Sequence, residues 1–127
     1  MKPQSCKVVM PTYKKYNNVK TVIDGKKFDS KKEAKRYQEL QLLKCAGEVV
    51  DFFCQPEFII MEGTRDKWTG EKIRAVKYIA DFAVKYKDED HWVVEDVKGG
   101  KATQTDVFLL KKKMFKNKYP CLELRVI

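Results

Sequence analysis

Histidine occurs once in the chain, as His91, and no two of Cys6, Cys45, Cys54 and Cys121 form a Cys-x-x-Cys pair. That set is too sparse and too scattered for a structural zinc centre. No uninterrupted apolar run approaches the roughly 20 residues of a membrane span, and Met1-Lys2-Pro3-Gln4-Ser5 lacks the apolar stretch of a secretory signal. The expectation is a cytoplasmic protein with reduced thiols, although four cysteines could in principle form two disulfides. There is no internal repeat and no low-complexity tract.

Basic charge is what the chain has in excess. Its 27 Lys and Arg against 18 Asp and Glu give a formal net charge of +9, a balance that favours polyanionic partners, nucleic acid first among them. Net charge alone names no partner, since lysine also solubilises helix faces. At 127 residues, 43% of them hydrophobic, the chain can build one ordinary core and no comfortable second one. We therefore expect a basic N-terminal arm over residues 1–18 and a single domain over residues 19–127.

Within that domain, Asp24-Gly25 between Thr21-Val22-Ile23 and Lys26-Lys27-Phe28 predicts a tight hairpin, because such turns need positive φ. Ser30-Lys31-Lys32-Glu33 has the spacing of a capping box. It opens a helix in which Ala34, Tyr37, Leu40 or Gln41, and Leu43 recur, with Gly47 as its stop. Val49–Cys54 and Glu57–Met61 read as strands separated by Gln55-Pro56, and residues 62–72 as a polar loop. Residues 73–86 and 92–98 are the strongest strands, expected to pair antiparallel. Thr105-Asp106 can cap a helix over residues 107–118, with Val107, Leu110 or Lys111, and Met114 on one side, before a last strand over residues 121–127.

Charged residues inside the two strongest strands are the anomaly. Asp81 lies in Tyr78-Ile79-Ala80-Asp81-Phe82, and Asp96 and Lys98 in Glu95-Asp96-Val97-Lys98-Gly99. Burying such groups is costly unless a partner compensates them. Strand alternation puts Val94, Asp96 and Lys98 on one face and Glu95 on the other. If the neighbouring strand brings Asp81 alongside, two like charges meet and repel unless a cation lies between them or one takes a proton. Mg²⁺ favours oxygen ligands and takes one or two carboxylates together with phosphate oxygens. Asp81, Asp96 and the main-chain carbonyl of Val97 suit it, with Mn²⁺ as a substitute, and Lys98 is placed to orient a water or steady charge on phosphorus. The chemistry expected is in-line hydrolysis of a phosphodiester. Taken singly, Asp81 reads better as a strand-end carboxylate paired with Arg74, Lys77 or Lys98, and Lys98 as a salt-bridge partner at a sheet edge; taken as a spaced set, they favour the metal site.

Ile79-Ala80-Asp81 followed by Asp96-Val97-Lys98 resembles the two-strand signature of the PD-(D/E)XK nuclease superfamily, with Ala80 where the motif's name has proline. Together with Asp24-Gly25, Phe28-Asp29-Ser30-Lys31-Lys32-Glu33-Ala34 and Gln55-Pro56, these motifs resemble a family of short phage-borne and prophage-borne proteins placed in that superfamily, over residues 19–119. The resemblance implies an α/β fold with a restriction-endonuclease-like core, a mixed β-sheet flanked by helices. It also implies a further acidic ligand from the first helix, which here is Glu33, with Glu39 as a less favoured substitute. Glu33 is equally the third position after the Ser30 cap, where a carboxylate can fold back on the helix end. Gln55 either contacts the site or merely turns the chain before Pro56.

The resulting expectation is a Mg²⁺-dependent endodeoxyribonuclease that acts as a homodimer on branched DNA such as a Holliday junction, in phage recombination, replication or packaging. The choice of substrate rests on analogy, and flaps, ends or nicks would fit the same residues. Phosphate contacts are expected from Lys31, Lys32, Lys35 and Arg36 on the first helix and from Lys111, Lys112 and Lys116 on the last. Trp68 can stack on an unpaired base, although a loop aromatic folded back on the core is the better expectation. The alternatives are a catalytically inactive nucleic-acid-binding protein of the same fold and a protein inhibitor or adaptor.

Overall fold

Asp24 and Gly25 adopt φ of 54° and 76°, the positive pair that closes a two-residue hairpin. This joins β1 (Thr21–Ile23) to β2 (Lys26–Phe28) at the start of a computed structural model that describes residues 21–99 and 104–127. The expected basic arm lies outside the described residues. Helix α1 (Lys31–Cys45) begins at Ser30, whose hydroxyl accepts the Glu33 amide at 3.1 Å, and ends before Gly47 at φ 84°. A cap of this kind is worth about 1 kcal/mol.

Strands β3 (Val49–Cys54) and β4 (Glu57–Met61) have the bounds that the sequence predicts. The loop after them is not featureless. It contains β5 (Thr64–Arg65) and β6 (Lys72–Ile73), paired antiparallel. The single strand expected over residues 73–86 is divided into β7 (Val76–Ile79) and β8 (Phe82–Tyr86). Strand β4 pairs with β7, and β3 with β8. The two ladders form one long hairpin bent at the same level in both arms. At the bend Gln55 has φ 50° and its N–H donates to the Asp81 carbonyl at 2.7 Å, while the Ala80 N–H donates to the Pro56 carbonyl at 3.1 Å. Pro56 has no N–H to continue the ladder, so the strands change direction there.

Strand β9 (Val93–Asp96) pairs antiparallel with β8, and β10 (Glu123–Val126) pairs parallel with β9. The result is a mixed four-stranded sheet in the order β10-β9-β8-β3. Helix α2 (Asp106–Lys118) starts where Thr105 Oγ accepts the Phe108 amide at 3.2 Å. Each helix covers its own face of the sheet. Ala34, Tyr37 and Leu40 of α1 share a buried cluster with Phe82 and Val84, whereas Phe108 and Phe115 of α2 share one with Ala83 and Val94. Adjacent residues of β8 point to opposite faces, so the helices lie on opposite sides. Each fully buried apolar side chain contributes roughly 1.5–3 kcal/mol.

The inner face of α2 differs from expectation. Of the residues expected on one side, Met114 packs partly buried against the core while Val107 and Leu110 are exposed, and Phe108 and Phe115 supply the buried face. Both phases satisfy helical spacing, and the larger aromatic rings win because they remove more apolar area from water. Cys45 and Cys54 are free thiols, as expected, but Cys121 is disulfide-bonded. No helix of the described residues is long and apolar enough to cross a membrane.

Candidate active site

The ladder between β8 and β9 continues one step past the end of β8, where the Asp81 N–H donates to the Glu95 carbonyl at 3.1 Å. Phe82 lies opposite Glu95, so Asp81 lies opposite Asp96, and residues directly opposite project to the same face. That is the α2 face. The two carboxylates and Lys98 all line one cleft of about 830 Å³, and Glu33 reaches it from the first turn of α1. Asp81, Asp96 and Glu33 are each at most 3% exposed.

The two aspartates are held in place. Asp81 Oδ2 accepts the Val97 N–H at 2.6 Å. Asp96 Oδ2 accepts the Tyr78 hydroxyl, and Asp96 Oδ1 lies 3.1 Å from Lys98 Nζ. The Lys98 ammonium also sits 4.2 Å from the centre of the Phe108 ring, a cation–π contact that holds it over a wall of the cleft. The Asp96 carbonyl and the Lys98 N–H both bond to Ile127. The peptide groups of Val97 therefore face the other way, toward Asp81, as alternate residues of a strand do. Neither Tyr78 nor Phe108 is conspicuous in the sequence, because an aromatic in an apolar strand or helix reads as core.

Glu95 points away from the cleft, as alternation predicts. It is fully buried against α1, where Arg36 Nε and Nη2 donate to its two oxygens at 2.8 and 2.9 Å and the Tyr86 hydroxyl adds a third bond. Hydrogen bonding to Glu95 raises the Arg36 pKa, and burial, with the same carboxylate, raises that of Tyr86. Arg36 is thereby withdrawn from the expected nucleic-acid contacts: a guanidinium committed to an internal carboxylate is not offered to phosphate. Lys32 lines the cleft, but its ammonium donates to the main-chain carbonyls of Lys98 and Ile127, tying α1 to the sheet's end. Lys31, Lys35 and Lys116 are exposed, Lys112 is half-buried, and Lys111 lines the cleft. Gln55 acts through its backbone at the bend, and Glu39 is paired with Arg36 at 3.0 Å.

A second group that sequence reasoning did not assemble is Glu89, His91 and Glu123, whose ligating atoms all lie within 4.8 Å of one another. None of the three lines the cleft. Arg125 Nη2 lies 2.7 Å from Glu89 and 3.1 Å from Glu123, and its Nε also bonds Glu123. The group is therefore an ion-pair network in which Arg125 already offsets part of the carboxylate charge. Hydrogen bonds to Asp90 and Glu123 raise the His91 pKa above its ordinary 6.5. A raised folded-state pKa stabilises the protein fully below the unfolded value, and the effect is lost as pH rises through the folded one. The difference in Tm between wild type and His91→Gln should accordingly shrink as pH is raised from about 6.5, as read by differential scanning calorimetry. A constant difference would remove His91 from the network's energetics.

Over residues 13–127 the sequence matches the family described as Protein of unknown function (DUF1064). The chain belongs to the DUF1064 family. No curated protein and no solved structure matches it.

Proposed function

We propose that this DUF1064 protein is a Mg²⁺-dependent endodeoxyribonuclease with a restriction-endonuclease-like core. One observation carries the reading: Asp81, from the bend between β7 and β8, and Asp96 and Lys98, from the end of β9 and just beyond it, border the same cleft together with Glu33. The mixed sheet with a helix on each face supports the fold assignment. The donor set supports the metal, because Asp81, Asp96, Glu33 and the Val97 carbonyl offer oxygen alone, which suits Mg²⁺ or Mn²⁺ and not a thiophilic ion. When bound there, such a cation polarises the phosphoryl group and acidifies a water.

The protein's own groups do the rest. In hydrolysis a water oxygen bonds to phosphorus as the bond to one sugar oxygen breaks, giving a phosphomonoester end and a hydroxyl end. Lys98, aimed by Asp96 and by the Phe108 ring, faces the phosphoryl oxygens on which negative charge grows. Tyr78 fixes the Asp96 carboxylate, and the Val97 N–H fixes that of Asp81. Lys111 at the rim, with exposed Lys31, Lys35 and Lys116, supplies backbone contacts that position DNA without reading its sequence.

Isothermal calorimetry with Mn²⁺ is expected to show uptake by wild type that is lost in Asp81→Asn and in Asp96→Asn. The same variants are expected to lose Mg²⁺-dependent cutting of labelled DNA while retaining DNA affinity. A catalytically inactive binder on the same fold would give unchanged affinity with no metal uptake. A protein inhibitor or adaptor would bind neither duplex nor branched DNA.

A further inference from the structure

We propose that the hairpin of β5 and β6 is a DNA-gripping wing, which holds phosphates in a basic groove beside the cleft and stacks Trp68 on an unpaired base at a branch point. The inference rests on the nuclease reading for the identity of the polymer as DNA.

Trp68 is 87% exposed, which overturns the expectation that it folds back on the core. An indole in water forgoes a large apolar gain, yet this one is held there by a well-bonded turn. The Trp68 N–H donates to Asp66 Oδ1 at 2.8 Å, and the Gly70 N–H donates to the Asp66 carbonyl at 2.7 Å. Gly70 takes φ 74°, and Arg65 donates to its carbonyl at 3.0 Å. At the root, a Cβ on Gly63 would come within 3.2 Å of the Ala75 nitrogen, so the two arms meet backbone to backbone. The tip is built rather than loose, and what it presents is an aromatic face.

Beneath the tip runs a groove of about 820 Å³ bordered by Arg65, Lys72, Arg74 and Lys77, with no carboxylate among the described residues that line it. Lys77, whose ammonium pairs with Glu57 at 2.8 Å, borders both this groove and the catalytic cleft, so the two concavities adjoin. Cations in a row suit a phosphate backbone. A protein-docking hot spot would surround its tryptophan with a ring of further contact residues at the centre of an interface. Here the indole stands at a hairpin tip between Lys67 and Thr69. A base offers its face only where it is unstacked, which makes flapped or open-branched DNA the substrate class that uses both features.

The test is a fluorescence titration of the intact chain in EDTA, so that nothing is cut, with a duplex carrying a single-stranded flap and a fully paired duplex of the same length. Trp92, 4% exposed, supplies a constant background. Flapped DNA is expected to quench the signal and paired duplex not. Trp68→Ala is expected to abolish the quench and weaken flap binding roughly 5- to 150-fold while leaving duplex binding unchanged. Arg74→Glu is expected to weaken both. Unchanged flap affinity in Trp68→Ala, or equal quenching by paired duplex, overturns the proposal. Tighter binding of single-stranded RNA than of flapped DNA overturns it as well. Cleavage assayed in parallel separates the two readings: cutting without a Trp68 quench sinks the wing alone, and a Trp68-dependent quench without cutting by any preparation sinks the nuclease alone.

Discussion

Lys98→Ala is expected to slow Mg²⁺-dependent cleavage by roughly 10²–10³-fold, the loss typical when a single preorganised electrostatic donor is removed from an active site. The reason lies in how little freedom the side chain has. It is 11% exposed, its ammonium lies 3.1 Å from Asp96 Oδ1, and the Phe108 ring lies 4.2 Å beneath it. A charge fixed in this way needs no reorganisation as negative charge develops on phosphorus, and the poorly solvated cleft strengthens it. Lys98→Arg should not restore the rate, because a planar fork cannot occupy the position of a compact ammonium. Single-turnover cutting of labelled DNA reads the effect, and circular dichroism verifies that each variant is folded at the assay temperature. Equal cutting by Lys98→Ala would assign the activity to a contaminant.

Arg36→Ala is expected to destabilise the fold by about 3–5 kcal/mol, because it strands a buried carboxylate. Glu95 is 0% exposed and takes two hydrogen bonds from the Arg36 guanidinium, at 2.8 and 2.9 Å. Among the described residues, the Tyr86 hydroxyl is the side-chain partner that Glu95 would keep once the guanidinium is removed. Arg36→Lys should recover part of the loss, since one ammonium cannot reproduce the paired geometry. Urea denaturation measures the change, while cleavage per folded molecule should stay the same. Lower DNA affinity at unchanged stability would instead return Arg36 to the phosphate-binding surface.

The contrast between Lys98 and Arg36 shows what could be read from the sequence. Asp24-Gly25, the Ser30 cap, Val49–Cys54 and Glu57–Met61 were legible because each is decided by chemistry within a few residues: positive φ, an orphan amide, an alternating run. The common facing of Asp96 and Lys98 follows from strand period alone. Arg36 looked like one more lysine-like charge on a basic helix, because its partner Glu95 lies 59 residues away and nothing local marks the pair. The bend at Ala80-Asp81 was hidden for a similar reason. Residues 76–86 alternate well enough for a single strand, and the interruption comes from Gln55-Pro56 on the facing arm. Tyr78 and Phe108 carry core-type side chains, so their service to Asp96 and Lys98 appears only once the sheet is assembled. Trp68 is the converse case, an aromatic assigned to the core by its composition and left in solvent by the turn that carries it.

Anomalous diffraction from crystals of the protein soaked in Mn²⁺ tests the metal assignment most directly. A peak is expected between the side chains of residues 81 and 96, within bonding distance of an oxygen of each. A peak at Glu89, His91 and Glu123 with none in the cleft would contradict it.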